Sequence, residues 1–285
     1  MLRHQGSIEA RRLMDCRLFV LDMDGTLVLG RKPLNCAGEL IDYLRRSSIR
    51  FMIVTNNSSK PSSEHAKDLS AILGVRIHQE EIYSSLDHLG AYLQKLGVVT
   101  NIYPLLTSKS KKYLKHKYGI KFNEKSPSLV VVGFDKELTY TKLSRACIYI
   151  QRGVPWVLVQ PDIRCPTEVG FIPDAGSIGK VIELTTGVKP AAVLGKPSPG
   201  MLEEISLRSG IDASSICYVG DRLYTDIRMA LESSATPILV LSGETRPEDL
   251  AASDIAKKEE ILVFKDLCEL LNTLKTILTE QSKHS

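Results

Sequence analysis

In LFVLDMDGTLV an apolar run delivers Asp22 and Asp24, two residues apart, and then Gly25 and Thr26. Two carboxylates placed directly after a buried strand are costly to keep ionised unless a cation or specific donors face them. A hard cation such as Mg²⁺, which prefers oxygen ligands, removes that cost. Gly25 permits a tight turn and Thr26 can hydrogen-bond locally, so the pair is built to hold both carboxylates in place. Taken alone, D-x-D-G after a strand is more often an Asx turn or a helix cap. A second acidic pair, in ICYVGDRLYTDI, sets Asp221 and Asp226 after another apolar run, with Gly220 at the turn. Asp226 by itself reads as a helix cap. Two such clusters at separate strand ends are harder to dismiss, because a parallel sheet can bring them to one metal.

Two further strand ends carry polar groups. FMIVTNNSSK ends in Thr55, Asn56 and Asn57, a hydroxyl and two amides beside an expected helix start. That set suits a phosphate oxyanion, with a simple helix cap as the plainer alternative. AAVLGKPSP supplies Lys196, whose ammonium can neutralise phosphate charge, although a lone lysine there is usually a solvated surface charge. The six histidines form no H-E-x-x-H or facial-triad grouping, which argues against a histidine-ligated metal. The six cysteines (Cys16, Cys36, Cys147, Cys165, Cys217 and Cys268) include no C-x-x-C pair, and buried free thiols are expected.

These residues need elements to position them. Short apolar or β-branched runs at 18–21, 51–54, 191–194, 216–219 and 238–241 predict buried parallel strands. Segments of helical period at 37–47, 64–73, 201–209 and 225–233 lie between them, the alternation of a doubly wound α/β sheet. The middle third has its own pattern, with helices near 86–96, 110–118 and 141–152 and strands at 129–132 and 156–159. It predicts a second α/β unit inserted in the first: a core domain over 1–84, an insertion over 85–176 and the rest of the core over 177–285. The Pro- and Gly-rich stretch 161–179 is expected to be a long returning loop, and the tail after Leu278 is expected to fray.

The chain has 285 residues, 43% hydrophobic and 25% charged, with a net charge of +4 from 37 basic and 33 acidic residues. That balance describes an ordinary globular protein and excludes a disordered, collagenous or coiled-coil chain. The charge is too mild to indicate a nucleic-acid partner. No apolar stretch approaches the roughly 18 residues of a membrane span. The N-terminal arginines are interrupted by an acidic residue where a signal peptide would be apolar, which leads to a cytoplasmic expectation.

DMDGT, TNN, GKPSP and GDRLYTDI, in that order, resemble the haloacid dehalogenase superfamily of aspartate-nucleophile phosphatases. The similarity continues through VVVGFDKELTYTKLSRA and PDIRCPTEVGFIPDAGSI, and so covers nearly the whole chain. It points to the branch with a large α/β cap between the second and third motifs, the NagD-like, p-nitrophenyl phosphatase and phosphoglycolate phosphatase-like group. The resemblance implies a Rossmann-like core with an inserted cap. It implies that Asp22 attacks phosphorus to form an aspartyl phosphate and that Asp24 is the acid and base. It implies Mg²⁺ on Asp22, the Asp24 main-chain carbonyl and Asp221, with Asp226 orienting them, and a phosphoryl group held by Thr55, Asn56, Asn57 and Lys196.

A Mg²⁺-dependent phosphomonoester hydrolase acting on a small metabolite is therefore expected, with sugar phosphates, phosphoglycolate and nucleotide monophosphates all open. Phosphotransfer through the same intermediate and a catalytically silent phosphate-binding protein are the alternatives. A homodimer through the cap is also implied. Two departures lie in the cap: Val159 and Gln160 stand where relatives often have Thr-Asn, and a lysine-rich segment (Lys109, Lys111, Lys112, Lys115, Lys117 and Lys121) replaces a Gly-rich turn. The lysines read as a solvated helix face or as an attractor of a multiply charged phosphate.

Overall fold

The computed structural model describes residues 10–167, 169–255 and 261–284. In chain order the strands are β1 (Leu18–Asp22), β2 (Val28–Leu29), β3 (Lys32–Pro33), β4 (Arg50–Thr55), β5 (Ile82–Ser84), β6 (Ile102–Leu105), β7 (Leu129–Val132), β8 (Trp156–Leu158), β9 (Arg164–Thr167), β10 (Gly170–Pro173), β11 (Ala192–Val193), β12 (Ile216–Gly220), β13 (Thr236–Val240) and β14 (Leu262–Phe264). The helices are α1 (Ala37–Arg46), α2 (Ser62–Leu73), α3 (Ser85–Lys95), α4 (Ser108–Tyr118), α5 (Tyr140–Gln151), α6 (Ala175–Thr186), α7 (Gly200–Ser209), α8 (Arg228–Glu232), α9 (Pro247–Ala252) and α10 (Leu267–His284). None among the described residues is long and apolar enough to cross a membrane.

Two compact units result: Met1–Val54 with Ala66–Glu81 and Ile205–Ser285, and Thr55–His65 with Ile82–Glu204. In the first, β14, β13, β12, β1 and β4 lie side by side in that order, all parallel. Every residue of β1 and β12 is buried, as the unbroken apolar runs LFVLD and ICYVG require of a sheet covered on both faces. Phe19 pairs with Cys217 and Leu21 with Val219, so β1 and β12 end level with each other. That register carries Asp22 and Asp221 to the same edge.

The second unit holds the parallel sheet β11-β8-β7-β6. β6, β7 and β8 are buried on both sides, so alternate residues feed two cores. Ile102, Val131 and Val157 face one core with Leu89 of α3 and Leu114 of α4. Tyr103, Val130 and Trp156 face the other with Ile150 of α5 and Ile182 of α6. This unit reaches Glu204, beyond the residue 176 at which the sequence pattern ends the insertion.

Four expectations need correction. The run at 191–194 becomes β11, which pairs with β8 in the second sheet rather than extending the first; a short apolar run carries no information about which sheet it joins. The stretch 161–179 is an antiparallel hairpin of β9 and β10 followed by the start of α6, because Gly170 at φ 135° makes a turn that Gly/Pro counting reads as loop. The tail continues α10 to His284. Cys16 is paired with Cys217, and Cys36 with Cys268, at Cα separations of 5.6 and 5.1 Å, while Cys147 and Cys165 belong to neither bridge. Partners 201 and 232 residues apart leave no spacing signature, and it is the adjacency of β1 and β12 that brings Cys16 to Cys217.

Candidate active site

Asp22, Asp221 and Asp226 are all buried and each offers an oxygen within 4.8 Å of the others. β1 ends in Asp22, β12 ends in Gly220 just before Asp221, and the π-turn Leu223–Ile227 folds Asp226 back against them. A wide turn of this kind is rare and recurs at functional sites. The Thr26 hydroxyl lies 3.3 Å from Asp22 Oδ2 and 3.5 Å from Asp221 Oδ1, tying the two strand ends together. The Glu244 N–H donates to Asp221 Oδ2 at 2.7 Å, while Tyr218 Oη and the Arg222 N–H donate to the two oxygens of Asp226 at 3.3 and 3.2 Å.

Asp24, half-buried, follows two residues after Asp22 in a tight turn in which the Gly25 N–H donates to the Val28 carbonyl at 2.8 Å. Gly25 sits at φ 100°, and a Cβ there would lie 2.3 Å from Asp221 Oδ2. A Cβ on Gly243 would lie 2.1 Å from the same oxygen. Both glycines therefore exist to let backbone close on the cluster. Three crowded carboxylates with hard oxygen donors and glycine walls fit a hard divalent cation, Mg²⁺ above all. The loop after β13, with Gly243 and Glu244, is a part of this cluster that sequence reading missed; the available signal was a glycine just past a buried strand.

The remaining four residues singled out from the sequence lie in the second unit. Thr55 ends β4, and its Oγ1 accepts the Asn57 N–H at 3.1 Å. Asn57 turns its Oδ1 to the N–H and hydroxyl of Ser59, at 3.0 and 2.7 Å, an Asx turn ahead of α2. Asn56 and Lys196 are brought together: the Lys196 N–H donates to Asn56 Oδ1 at 2.8 Å, and Asn56 Nδ2 donates back to the Lys196 carbonyl at 3.1 Å. Buried hydroxyls stitch the segment down, Ser85 to the Asn56 carbonyl, Ser110 to that of Ser58 and Thr107 to that of Ser59, at 2.6 to 2.8 Å. Lys196 is only 5% exposed, far from the solvated lysine that composition suggests.

Three buried aspartates of this unit, Asp87, Asp135 and Asp174, were not singled out from sequence; Asp135 is paired with Lys142 Nζ at 3.0 Å. Asp87, in the first turn of α3, accepts from the hydroxyls of Ser62, Ser84, Tyr113 and Tyr118 at 2.5 to 2.8 Å and from Lys117 Nζ at 2.7 Å. Burial pushes its carboxyl up, but the Lys117 charge and these donors outweigh it and bring it down to about 2. One member of the lysine-rich segment is thus an internal counter-ion, and Lys109 pairs with Glu64 at 2.8 Å. Asp174 caps α6, and burial pushes its carboxyl up to about 7, the Ala175 N–H pulling down and Asp162 adding to the rise.

Residues 19–121 match the haloacid dehalogenase-like hydrolase family, and residues 193–270 match a HAD-hydrolase-like family. The structure of a 4-nitrophenylphosphatase from Thermotoga maritima is similar at 38% identity and a TM-score of 0.86, covering 92% of this chain and 98% of that one. An acid sugar phosphatase of Staphylococcus saprophyticus is 29% identical over 259 residues, 91% of this chain and 98% of its own. NagD from E. coli K-12, at 22% identity and a TM-score of 0.81 over 89% of this chain and 98% of its own, shares the fold. With the paired aspartates at adjacent strand ends and this full-length likeness, the chain belongs to the NagD-like branch of the haloacid dehalogenase-like hydrolases and is a phosphatase of that family.

Proposed function

We propose that the chain is a Mg²⁺-dependent phosphomonoester hydrolase that works through an aspartyl phosphate on Asp22 and acts on small phosphorylated metabolites, sugar phosphates foremost. The observation that carries this is the convergence of Asp22, Asp221 and Asp226 within 4.8 Å in a phosphatase family. The substrate class follows the relatives that act on sugar phosphates and on 4-nitrophenyl phosphate.

In this reading an oxygen of Asp22 attacks phosphorus and the P–O bond to the leaving alcohol breaks. Asp24 gives its proton to the departing oxygen, then takes one from the water that attacks the aspartyl phosphate, releasing inorganic phosphate and restoring Asp22. The Thr55 hydroxyl, Asn56, Asn57 and the Lys196 ammonium hold the transferring group, with Lys196 offsetting its charge. Asp22, the Asp24 carbonyl and Asp221, oriented by Asp226, would hold Mg²⁺, which would supply screening between an anionic nucleophile and an anionic ester. The first unit acts as core and the inserted residues as a cap that excludes water and selects the leaving group.

Inorganic phosphate release from a panel of phosphate esters, with Mg²⁺ and with chelator, tests this. Turnover by the wild type that needs Mg²⁺ and is lost in Asp22→Asn is expected; equal turnover by the two proteins overturns the role of Asp22. Light scattering on the eluting protein tests a homodimer through the cap, which a monomer mass sinks.

A further inference from the structure

Lys196 is held by its main chain, and the holding continues well beyond it. Its N–H and carbonyl both bond to the Asn56 side chain, so the Asn56 carbonyl and one amide proton are committed to it. Asn56 Nδ2 also donates to Asp162 Oδ1 at 3.2 Å. The Asp162 N–H donates to Gln160 Oε1 at 2.6 Å, and Gln160 Nε2 donates to Asp174 Oδ1, which also accepts the Ala175 N–H at 2.6 Å. Gln160 is completely buried and Asn56 is 6% exposed. An unbroken polar chain thus runs from the first turn of α6 to the backbone of Lys196.

The backbone is pressed together along the same line. A Cβ on Gly195, at φ 70°, would lie 2.7 Å from Asn56 Oδ1 and 2.8 Å from Gln160 Cβ. A Cβ on Gly176 would lie 2.2 Å from the Pro161 carbonyl oxygen, and the Gly176 N–H donates to the Asp162 carbonyl at 2.9 Å. The 160–162 turn is therefore clamped between the Lys196 loop on one side and the start of α6 on the other. A buried amide such as Gln160 with both ends bonded fixes one geometry, and losing either bond strands a buried polar group.

We propose that Gln160 and Asp162 are positioning residues that set the place of the Lys196 ammonium through the Asn56 side chain. This rests on the reading of Lys196 as a phosphoryl-binding group. In this chain of bonds Asp162 acts through Oδ1 as a hydrogen-bond acceptor, a role that an amide oxygen can also fill. The departure from the family pattern at Gln160 falls within this chain of bonds.

Three variants test it: Gln160→Leu, Asp162→Leu and Asp162→Asn, which keeps Oδ1. Amide hydrogen exchange at Lys196 reads the positioning directly. Protection is expected to fall about tenfold or more in both leucine variants and to hold in Asp162→Asn, with thermal unfolding showing each folded. With a turned-over ester, kcat should fall about tenfold or more in the leucine variants while half-saturation by Mg²⁺ stays put. Unchanged Lys196 exchange in both folded leucine variants overturns the proposal. So does an Asp162→Asn variant as impaired as Asp162→Leu, which would make the charge itself the acting group. A wild type that releases no phosphate while Lys196 exchange responds as expected leaves the positioning standing and sinks the phosphatase reading alone.

Discussion

The first unit crowds three buried carboxylates within 4.8 Å, while the second surrounds one buried carboxylate, Asp87, with hydroxyls and a lysine. Both arrangements take acids out of water, and they solve the cost differently. Asp87 is satisfied by the chain itself, so its negative charge is an internal cornerstone that orients α3, α4 and the segment at Ser62. At Asp22, Asp221 and Asp226 the like charges repel, and glycines at 25 and 243 clear the space around them. Asp87 is balanced by a lysine of the chain, whereas in the proposed function the cluster would be balanced by a cation, and that difference would separate an architectural acid from a chemical one.

The sharpest way to break the contrast is to place one alanine in each. Gly243→Ala, with its Cβ pointed at Asp221 Oδ2, is expected to lower turnover about a hundredfold while the protein stays folded; an active variant in the phosphate-release assay would break the contrast. Asp87→Ala should do the reverse, leaving kcat of the folded protein near wild type. It is expected to cost about 3 kcal/mol of stability, roughly 6–12 °C in Tm for a chain of this size. The figure stays at the low end of buried pairs because Lys117, with 43% of its side chain exposed, can return to water.

Mg²⁺ sharpens the comparison further. At about a hundred times its Kd it should stabilise the wild type by about 2.7 kcal/mol, seen as a chelator-reversible rise in Tm. Asp22→Asn, with one like charge removed, should be the more stable protein in chelator and gain less from the metal. A smaller effect belongs to acid pH. With its folded carboxyl lowered from 3.8 to about 2, Asp87 contributes stability that is complete above pH 4 and is lost as pH falls toward 2. That contribution is about 2 kcal/mol and should be missing from the acid limb of Asp87→Asn in urea titrations at each pH.

The two regions also differ in how far sequence could reach them. Asp22 and Asp221 stand at the ends of apolar runs, and runs of this kind become neighbouring parallel strands, so their meeting follows from pattern and register. Thr55 and Lys196 could be named, but the clamp on Lys196 could not. Asn56 meets Lys196 across 140 residues and Asp162 across 106, through loop contacts that have no period. Asp87 was hidden for another reason: its donors come from three separate elements, and a capping aspartate in a helix start looks the same whether exposed or buried. The strand at 192–193 shows the limit in the fold itself, since composition identifies a strand and topology decides its sheet.

The order of residues in the first sheet carries a consequence for synthesis. β1 needs β12 beside it, yet 193 residues separate the end of one from the start of the other, with the whole of the second unit between. At 5–20 residues per second the ribosome spends on the order of ten seconds or more on that interval. The intervening strands β6, β7 and β8 can pair as they emerge, whereas β1, with β4 available on one edge, waits for β12 on the other. The nascent chain thus acquires the proposed catalytic acids first and their acidic partners last, so an interrupted translation product carries DMDGT with no second acidic cluster beside it.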